Sequence, residues 1–117
     1  MAVYIIAEAG VNHNGRLDLA LRLCDVDAVK FQTWKTEKIV TQTAAKATYQ
    51  VENTHSNEET QFDMLKKLEL SYRQFFEIKE YCDKIGIDFL STPDEEDSLD
   101  FLVSLHLPFL KIGSGEV

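Results

Sequence analysis

The sequence predicts an α/β domain in which parallel strands alternate with helices. Four short apolar segments are separated by segments with apolar residues at helical spacing, and polar residues follow each apolar segment. Strands that alternate with helices in this order form parallel sheets with right-handed crossovers. The chain has 117 residues, of which 44% are hydrophobic and 27% charged, as is typical of one globular domain. We therefore expect a single α/β unit without internal repeats or linkers.

The first strand is predicted at residues 3–7, a nearly continuous apolar run of the kind that is buried on both faces of a parallel sheet. Apolar residues then recur at helical spacing from Leu17 to Cys24, which predicts a helix of about two to three turns. The second strand is predicted at residues 27–32. A crossover with its helix needs at least about 10 to 12 residues. The stretch from Gly10 to Asp27 barely provides them, which leaves the first crossover in question.

The middle of the chain is predicted to hold a long loop and two helices. Residues 33–57 show little periodicity and many polar residues, and loops of this length are usually functional or disordered. A helical pattern follows at residues 58–70. Ser71 and Gln74 have the spacing of a capping box, which marks the start of a second helix. Its apolar stripe consists of Phe75, Ile78, Cys82 and Ile85 and ends at Gly86.

The last part of the chain is predicted to add a strand, a helix and a further strand. The third strand is predicted at residues 87–91, and the fourth at residues 109–112. Between them, the sequence Thr92-Pro-Asp-Glu95 places Pro93 at the first helical position and acidic residues in the first turn. The predicted buried stripe of this helix is Leu99, Leu102 and Leu105.

Charge and cysteine content limit the function classes. The net charge of −8 argues against nucleic-acid binding, so an anionic substrate would need locally placed lysines. The sequence has neither an apolar run long enough for a membrane span nor the pattern of a signal peptide, and we expect a cytoplasmic protein. Cys24 and Cys82 fit no metal-ligand spacing and are interpreted as reduced, partly buried thiols.

Polar residues that can bind ligands or transfer protons lie at the end of each predicted strand. The carboxyl ends of parallel strands converge on one face of an α/β fold, where ligands bind. We therefore predict one site at this face. Its candidate residues are Glu8 after the first strand, Lys30 and Gln32 in the second, Ser91 and Thr92 after the third, and Lys111, Ser114 and Glu116 at the fourth.

Lys30 and Glu8 each have an alternative interpretation. Strand alternation places Lys30 on the face opposite Val29 and Phe31. In a closed barrel that face is the interior, where an unpaired ammonium group is costly and usually functional. The alternative is a solvent-facing lysine on an edge strand. Glu8 is either a catalytic carboxylate or an edge residue in an ion pair.

Thr92 and Ser114 are also open to two interpretations. Thr92 can cap the helix that follows it, and an anion ligand would use the same helix N-terminus. Ser114 lies between two glycines, where it either forms a turn or lets backbone N–H groups approach a phosphate. The acidic run at residues 94–97 is attributed to the start of a helix rather than to a metal site.

Histidine and aromatic residues give weaker signals. The sequence Asn12-His-Asn-Gly15 is typical of a turn, although His13 is also a possible ligand or acid/base group. His55 and His106 are interpreted as surface residues. Trp34 and Tyr49 either pack the long loop or contact a sugar, and their spacing does not decide between the two.

Five segments resemble the N-terminal half of the N-acetylneuraminate (sialic acid) synthase family, and they occur in the order that the family has. Legionaminic and pseudaminic acid synthases share most of these motifs, and residues 45–54 are more like bacterial N-acetylneuraminate synthases. The segments are IAEAGVNHNG at 6–15, DAVKFQT at 27–33, MLKKLELS at 64–71, FLSTP at 89–93 and KIGSGE at 111–116.

The resemblance implies the N-terminal half of a (β/α)8 TIM barrel, which in the family is followed by a C-terminal antifreeze-like domain and assembles as a homodimer. It implies condensation of phosphoenolpyruvate with N-acetylmannosamine to give N-acetylneuraminate and phosphate, with Mn2+ or Mg2+. In this reaction C3 of phosphoenolpyruvate attacks the open-chain aldehyde, water adds at C2, and phosphate leaves. The alternatives are a related nonulosonate synthase that acts on another sugar, or a non-enzymatic fragment.

Residue roles follow by motif match. The resemblance implies that Lys30 and Lys111 hold the phosphoenolpyruvate anion and that Glu8 meets the reacting end of the sugar. The remaining implied contacts are Thr92 and Ser114 as hydroxyl ligands, Gln32 at the sugar or the enolpyruvate, Asn53 at the sugar, and Glu116 at the metal-bound water or the aldehyde.

The resemblance also implies an incomplete barrel. The segment between Gly15 and Asp27 is about six residues shorter than in the family, and the two histidines that bind the family's metal would lie beyond Val117. A barrel of this type takes about 250 residues. A half-barrel would expose two sheet edges and an apolar face. We therefore expect this chain alone to be inactive, and either to associate or to fold poorly.

Overall fold

The computed structural model describes residues 2–22, 26–40 and 60–114. Within these ranges, three parallel strands form one sheet in the order β1-β2-β3. The α/β class with a parallel sheet is therefore confirmed. The strands are β1 at Ile6–Gly10, β2 at Ala28–Thr33 and β3 at Asp88–Pro93.

Five helices occur in the described part of the chain. The first, α1, connects β1 to β2, so the short first crossover does form. The predicted long loop contains one short helix, α2, before residues 41–59, which lie outside the described ranges. None of these helices is long and apolar enough to cross a membrane. They are α1 at Leu17–Arg22, α2 at Thr36–Ile39, α3 at Gln61–Leu68, α4 at Tyr72–Ile85 and α5 at Glu96–Ser104.

Local capping explains the bounds of α3 and α4. The Ser71 hydroxyl accepts a hydrogen bond from the Gln74 N–H, and the Gln74 side chain accepts one from the Ser71 N–H, which confirms the predicted capping box. Gly86 ends α4 in the left-handed conformation, with φ of 81°. Thr60 and Asp63 form a second capping box, so α3 begins at Gln61.

The core lies between the sheet and the helices. Phe31 of β2 is fully buried, and its ring centroid is 5.7 Å from Phe89 of β3 and 6.1 Å from Phe75 of α4. Aromatic contacts therefore join two strands and a helix. The other buried members of this cluster are Ala9, Ala20, Val29, Leu70, Ile78, Cys82, Leu102 and Leu105.

The first strand begins later than predicted. β1 starts at Ile6, while Val3 and Ile5 are 80% and 56% exposed. β1 lies at the edge of the sheet and pairs only with β2 among the described strands. The apolar run at residues 3–7 therefore does not indicate burial on both faces.

The predicted fourth strand is wrong, because residues 109–112 form no strand. Their backbone makes one bond to the sheet, in which the Lys111 N–H donates to the Ser91 carbonyl at 3.5 Å. This is longer than an ordinary hydrogen bond. Phe109 and Ile112 are 46% and 60% exposed, whereas Leu110 is partly buried and packs against the core, so the segment lies against the core without pairing as a strand.

The start of the last helix was also predicted wrongly. Pro93 is the last residue of β3, and α5 begins at Glu96. The Glu95 carboxylate accepts hydrogen bonds from the N–H groups of Asp97 and Ser98, at 2.9 and 3.2 Å. The cap is therefore supplied two residues after Pro93, and strand pairing continues through the proline.

Candidate active site

Strand register brings four of the predicted site residues to one face of the sheet. Glu8 lies opposite Lys30 in the pairing of β1 with β2, and Gln32 lies opposite Thr92 in the pairing of β2 with β3. Because side chains alternate along a strand, all four lie on the face opposite the aromatic core. We call this surface, defined by Glu8, Lys30, Gln32 and Thr92, the distal face.

Lys30 and Glu8 form an ion pair across the first two strands. The Lys30 Nζ lies 2.9 Å from Glu8 Oε2. The Lys30 side chain is only 10% exposed, whereas that of Glu8 is 62% exposed. A buried ammonium group is destabilising unless it has a partner. Glu8 supplies that partner and itself remains open to solvent.

Gly10 gives the Glu8 carboxylate room to lie on the distal face. It has a φ of 48°, and a Cβ at this position would lie 2.9 Å from Glu8 Oε1 and 3.9 Å from Gln32 Oε1. The Glu8 carboxylate and the Gln32 amide therefore both lie next to the Gly10 backbone. Glu8, Lys30 and Gln32 together form one polar cluster that offers a cation, a carboxylate and an amide to a ligand.

Thr92 is not a helix cap, because Glu95 caps α5. Its side chain is 3% exposed, and its Oγ1 has no hydrogen-bond partner within the described structure. Buried hydroxyl groups are normally hydrogen-bonded, so an unpartnered one is able to bind a ligand oxygen. Ser91, in contrast, faces the helices, where its hydroxyl lies 2.7 Å from that of Thr33.

Lys111 and Ser114 lie in the segment that follows α5. Lys111 lines a cavity of about 450 Å³ between the end of β3 and residues 111–113, and Ser114 is exposed. None of the four distal-face residues lines that cavity. We place the candidate site on the distal face rather than in the cavity, because the cluster there combines burial with complementary charge. Asn53 and Glu116, also predicted as site residues, lie outside the described residues.

His13 is a structural residue of the loop between β1 and α1. Its ring is 1% exposed and lies 5.9 Å from the ring of Phe31, on the core side of the sheet. Its Nδ1 accepts a hydrogen bond from the Gly15 N–H at 3.0 Å. Burial lowers the pKa of His13, and the Gly10 carbonyl partly offsets this. The turn interpretation of residues 12–15 is therefore correct.

The other residues with weak signals resolve as packing or surface groups where the structure describes them. Trp34 is 3% exposed and donates a hydrogen bond from Nε1 to Thr36 Oγ1 at 3.1 Å, so it packs the segment after β2. His106 is exposed and Cys82 is fully buried. Cys24, Tyr49 and His55 lie outside the described ranges.

The sequence did not reveal the carboxylate that organises the segment after β2. Glu69 Oε1 accepts hydrogen bonds from the Thr36 N–H at 2.7 Å and from the Thr36 hydroxyl at 2.8 Å. Glu69 lies in the short connection between the capped helices α3 and α4. This position was the only feature of the sequence that could have indicated a structural role for Glu69. Its partner is 33 positions away in the sequence, so no local pattern identifies the contact.

The resemblance places the ligands of its divalent cation outside the described residues. Within residues 2–22, 26–40 and 60–114, no group of three or more histidines, cysteines or acidic residues is arranged to hold a metal ion. The acidic run at residues 94–97 instead caps α5 through Glu95 and pairs Asp97 with Lys38 at 3.2 Å.

A parallel α/β sheet that presents a buried lysine, a carboxylate, an amide and a hydroxyl on one face offers a fixed cation and hydrogen-bonding groups to a small anionic ligand. The chain belongs to the NeuB family, whose model matches residues 17–117. Its relatives include sialic acid and legionaminic acid synthases.

Two curated relatives and one solved structure illustrate the match. The chain is 48% identical to N,N'-diacetyllegionaminic acid synthase of Legionella pneumophila. This alignment covers 100% of the chain and 34% of the relative. It is 35% identical to human N-acetylneuraminate-9-phosphate synthase, over 97% and 33% of the two chains. A crystal structure of N-acetylneuraminic acid (sialic acid) synthetase from Leptospira borgpetersenii serovar Hardjo-bovis, in complex with citrate, has a TM-score of 0.70 at 32% identity, over 96% of this chain and 36% of that one.

The chain thus spans about a third of the length of these relatives. The match to the Legionella protein extends over 123 residues, compared with 117 in this chain.

Proposed function

We propose that the chain forms the phosphoenolpyruvate-binding part of a nonulosonate synthase, an enzyme that condenses phosphoenolpyruvate with an N-acetylated amino sugar. The observation that carries the proposal is the buried Lys30 ammonium on the distal face, held by the exposed Glu8 carboxylate. Phosphoenolpyruvate carries a carboxylate and a phosphate, and a protein with a net charge of −8 needs a fixed cation to attract it. Membership of the NeuB family supports the same reaction class.

Each residue on the distal face has a role in this proposal. Lys30 binds an anionic group of phosphoenolpyruvate, and the unpartnered Thr92 hydroxyl donates a hydrogen bond to one of its oxygens. Glu8 and Gln32 orient the open-chain sugar and the attacking water. C3 of phosphoenolpyruvate attacks the aldehyde carbon, water adds at C2, and the C–O bond to phosphate breaks.

Residues beyond the distal face belong to the proposal as further contacts. Lys111 and Ser114 are proposed as a second anion contact, Asn53 as a sugar contact, and Glu116 as a group near the aldehyde. The divalent cation and the homodimeric assembly that the resemblance implies are also proposals.

Two sugars are candidate substrates. The motifs resemble N-acetylneuraminate synthases and favour N-acetylmannosamine. The 48% identity to an N,N'-diacetyllegionaminic acid synthase favours a diacetamido sugar at least as strongly. Phosphate release from phosphoenolpyruvate, measured for the gene product that carries this sequence with each sugar in turn, separates them. A gene product that turns over neither sugar would contradict the proposed function.

Replacing Lys30 tests the binding site directly. In Lys30→Gln, we expect phosphoenolpyruvate affinity to fall by about ten- to a hundredfold, because one charge-assisted hydrogen bond contributes about 1.5–3 kcal/mol. Isothermal titration calorimetry measures the affinity. Lys84→Gln is the matched control, because Lys84 is an exposed lysine of α4 and should bind as the unmodified chain does. Equal affinity in both variants would place the anion elsewhere.

A further inference from the structure

Glu69 holds the segment through which the chain leaves β2. Glu69 directly follows α3, and its side chain is 10% exposed. Its Oε1 accepts both the N–H and the hydroxyl hydrogen of Thr36, and the Thr36 oxygen accepts the indole N–H of Trp34. Thr36 and Trp34 are 0% and 3% exposed. A chain of hydrogen bonds therefore runs from Glu69 to Trp34, two residues after Gln32.

Carboxylates from two distant elements replace a local cap on α2. Lys35 is the residue before this helix, and its side chain makes no capping hydrogen bond. The Thr36 N–H donates instead to Glu69, and the Lys35 N–H donates to Glu95 Oε1 at 3.1 Å. Unpaired donors at a helix start are destabilising when buried. The two carboxylates therefore fix the direction in which the chain continues from Gln32.

The parts of the distal face depend on this support to different degrees. Lys30 lies in the middle strand, flanked by β1 and β3, and Thr92 is carried by β3. Gln32 is one residue from the end of β2, so the segment held by Glu69 begins next to it. A disturbance at Glu69 should reach Gln32 before it reaches Lys30, which lies two residues earlier in β2.

We propose that Glu69 is a positioning residue for the amino-sugar side of the site, acting through Thr36 and Trp34 on Gln32 and on the chain beyond it. The proposal rests on the proposed function, which assigns the anionic substrate to Lys30 and Thr92. Glu69 touches neither substrate. Its role is to keep the end of β2 in one arrangement, and misplacement of a substrate-orienting group by about 1 Å can reduce rates by about a hundredfold.

Steady-state kinetics of the gene product that carries this sequence provide the test. In Glu69→Ala, we expect the KM for the amino sugar to rise about tenfold and the KM for phosphoenolpyruvate to stay within about twofold. Glu69→Gln should restore most of the sugar affinity, because its amide oxygen can still accept both Thr36 hydrogen bonds. Lys66→Gln is the control. It removes the ion pairs to Glu69 Oε2 at 3.1 Å and Glu37 Oε1 at 2.7 Å and leaves the Thr36 bonds in place.

Trp34, the single tryptophan, reports the same contacts in the 117-residue chain. Its emission should shift to longer wavelength in Glu69→Ala and not in Lys66→Gln. Thr36→Val is a milder variant in case Glu69→Ala fails to fold. It removes the hydroxyl and keeps the N–H bond to Glu69, and we expect about a threefold rise in the sugar KM.

The outcomes distinguish this proposal from the function on which it rests. A gene product that turns over neither sugar would overturn the proposed function, and the role of Glu69 with it. Normal turnover combined with a parallel rise of both KM values would overturn the role of Glu69 alone. The same holds if Glu69→Gln is as impaired as Glu69→Ala, because that result would assign the effect to charge rather than to the bonds with Thr36.

Discussion

At the scale of single residues, the candidate site depends on how one buried charge is compensated. Lys30 is nearly buried, and its ion-pair partner Glu8 is mostly exposed. The absence of a side chain at Gly10 leaves space for that carboxylate beside Gln32. The ammonium group is thus stabilised without the distal face being filled by apolar packing. This arrangement favours the interpretation that Lys30 and Glu8 bind a polar ligand over the interpretation that they form a purely structural ion pair.

The buried histidine gives a pH-dependent prediction. Burial lowers the pKa of His13, so the folded state takes up a proton less readily than the unfolded chain. Protonation would also place a hydrogen on Nδ1, which accepts the Gly15 N–H. The stabilising effect is therefore complete above the unfolded pKa of about 6.5 and is lost as the pH falls below it. We expect the free energy of unfolding from urea titrations to decrease there by at most about 1.4 kcal/mol per pH unit.

Substitution separates His13 from other acid effects. In His13→Asn, the side-chain oxygen can still accept the Gly15 N–H, as in an Asx turn, but the group no longer titrates. The decrease between pH 7 and pH 5 should therefore become smaller. His106→Asn is the control, because His106 is exposed and has a φ of 55° that asparagine tolerates. An unchanged pH profile in His13→Asn would assign the acid sensitivity to other groups.

At the scale of elements, helix α4 is defined by its own sequence. The Ser71 hydroxyl satisfies the Gln74 N–H at 3.1 Å, and no other element takes part in this cap. We expect Ser71→Ala to lower the free energy of unfolding by about 1 kcal/mol, as measured by urea denaturation. Ser104→Ala removes an exposed serine at the end of α5 and should change it by less than about 0.5 kcal/mol. Equal effects would mean that tertiary packing, not the cap, determines where α4 starts.

Elements with local signals were predictable, and those that depend on distant partners were not. Ser71 and Gly86 directly flank α4, so the local sequence indicated both ends of the helix. The start of α5 depends on the Glu95 carboxylate, which also binds the Lys35 N–H. The predicted strand at 109–112 fails because it makes a single long bond to Ser91. The pattern of apolar residues alone specifies neither where α5 starts nor whether residues 109–112 pair as a strand.

The same distinction applies to the candidate site. Strand alternation places Lys30 and Gln32 on one face, and parallel register adds Glu8 and Thr92, so the distal face was predictable from the strands. The fourth strand predicted to carry Lys111 does not form, and Lys111 lines a cavity together with Pro93, the last residue of β3. The hydrogen bonds from Thr36 to Glu69 could not be predicted in this way, because they depend on how α3 packs against the segment after β2.

At the scale of the whole molecule, one aromatic cluster connects the layers of the described structure. Phe31 in the central strand contacts His13, Phe75 and Phe89, with ring centroids 5.7 to 6.1 Å apart. The loop after β1, helix α4 and strand β3 therefore share one packing centre. The distal-face residues lie on the other side of the same strands, so their relative positions depend on this core.

Truncation of the central aromatic residue tests whether the described structure unfolds as one unit. Phe31→Ala leaves a cavity among three elements, and we expect the free energy of unfolding to fall by about 3–5 kcal/mol. In urea denaturation, the transitions measured by Trp34 emission and by far-UV circular dichroism should move to lower urea together, because both report the same core. Phe76→Ala is the matched control on α4. Its ring is 47% exposed, and the loss should be below about 1 kcal/mol. If the Trp34 transition moved while the dichroism did not, the end of β2 would unfold independently of the helices, and the core would not be what holds the distal face in place.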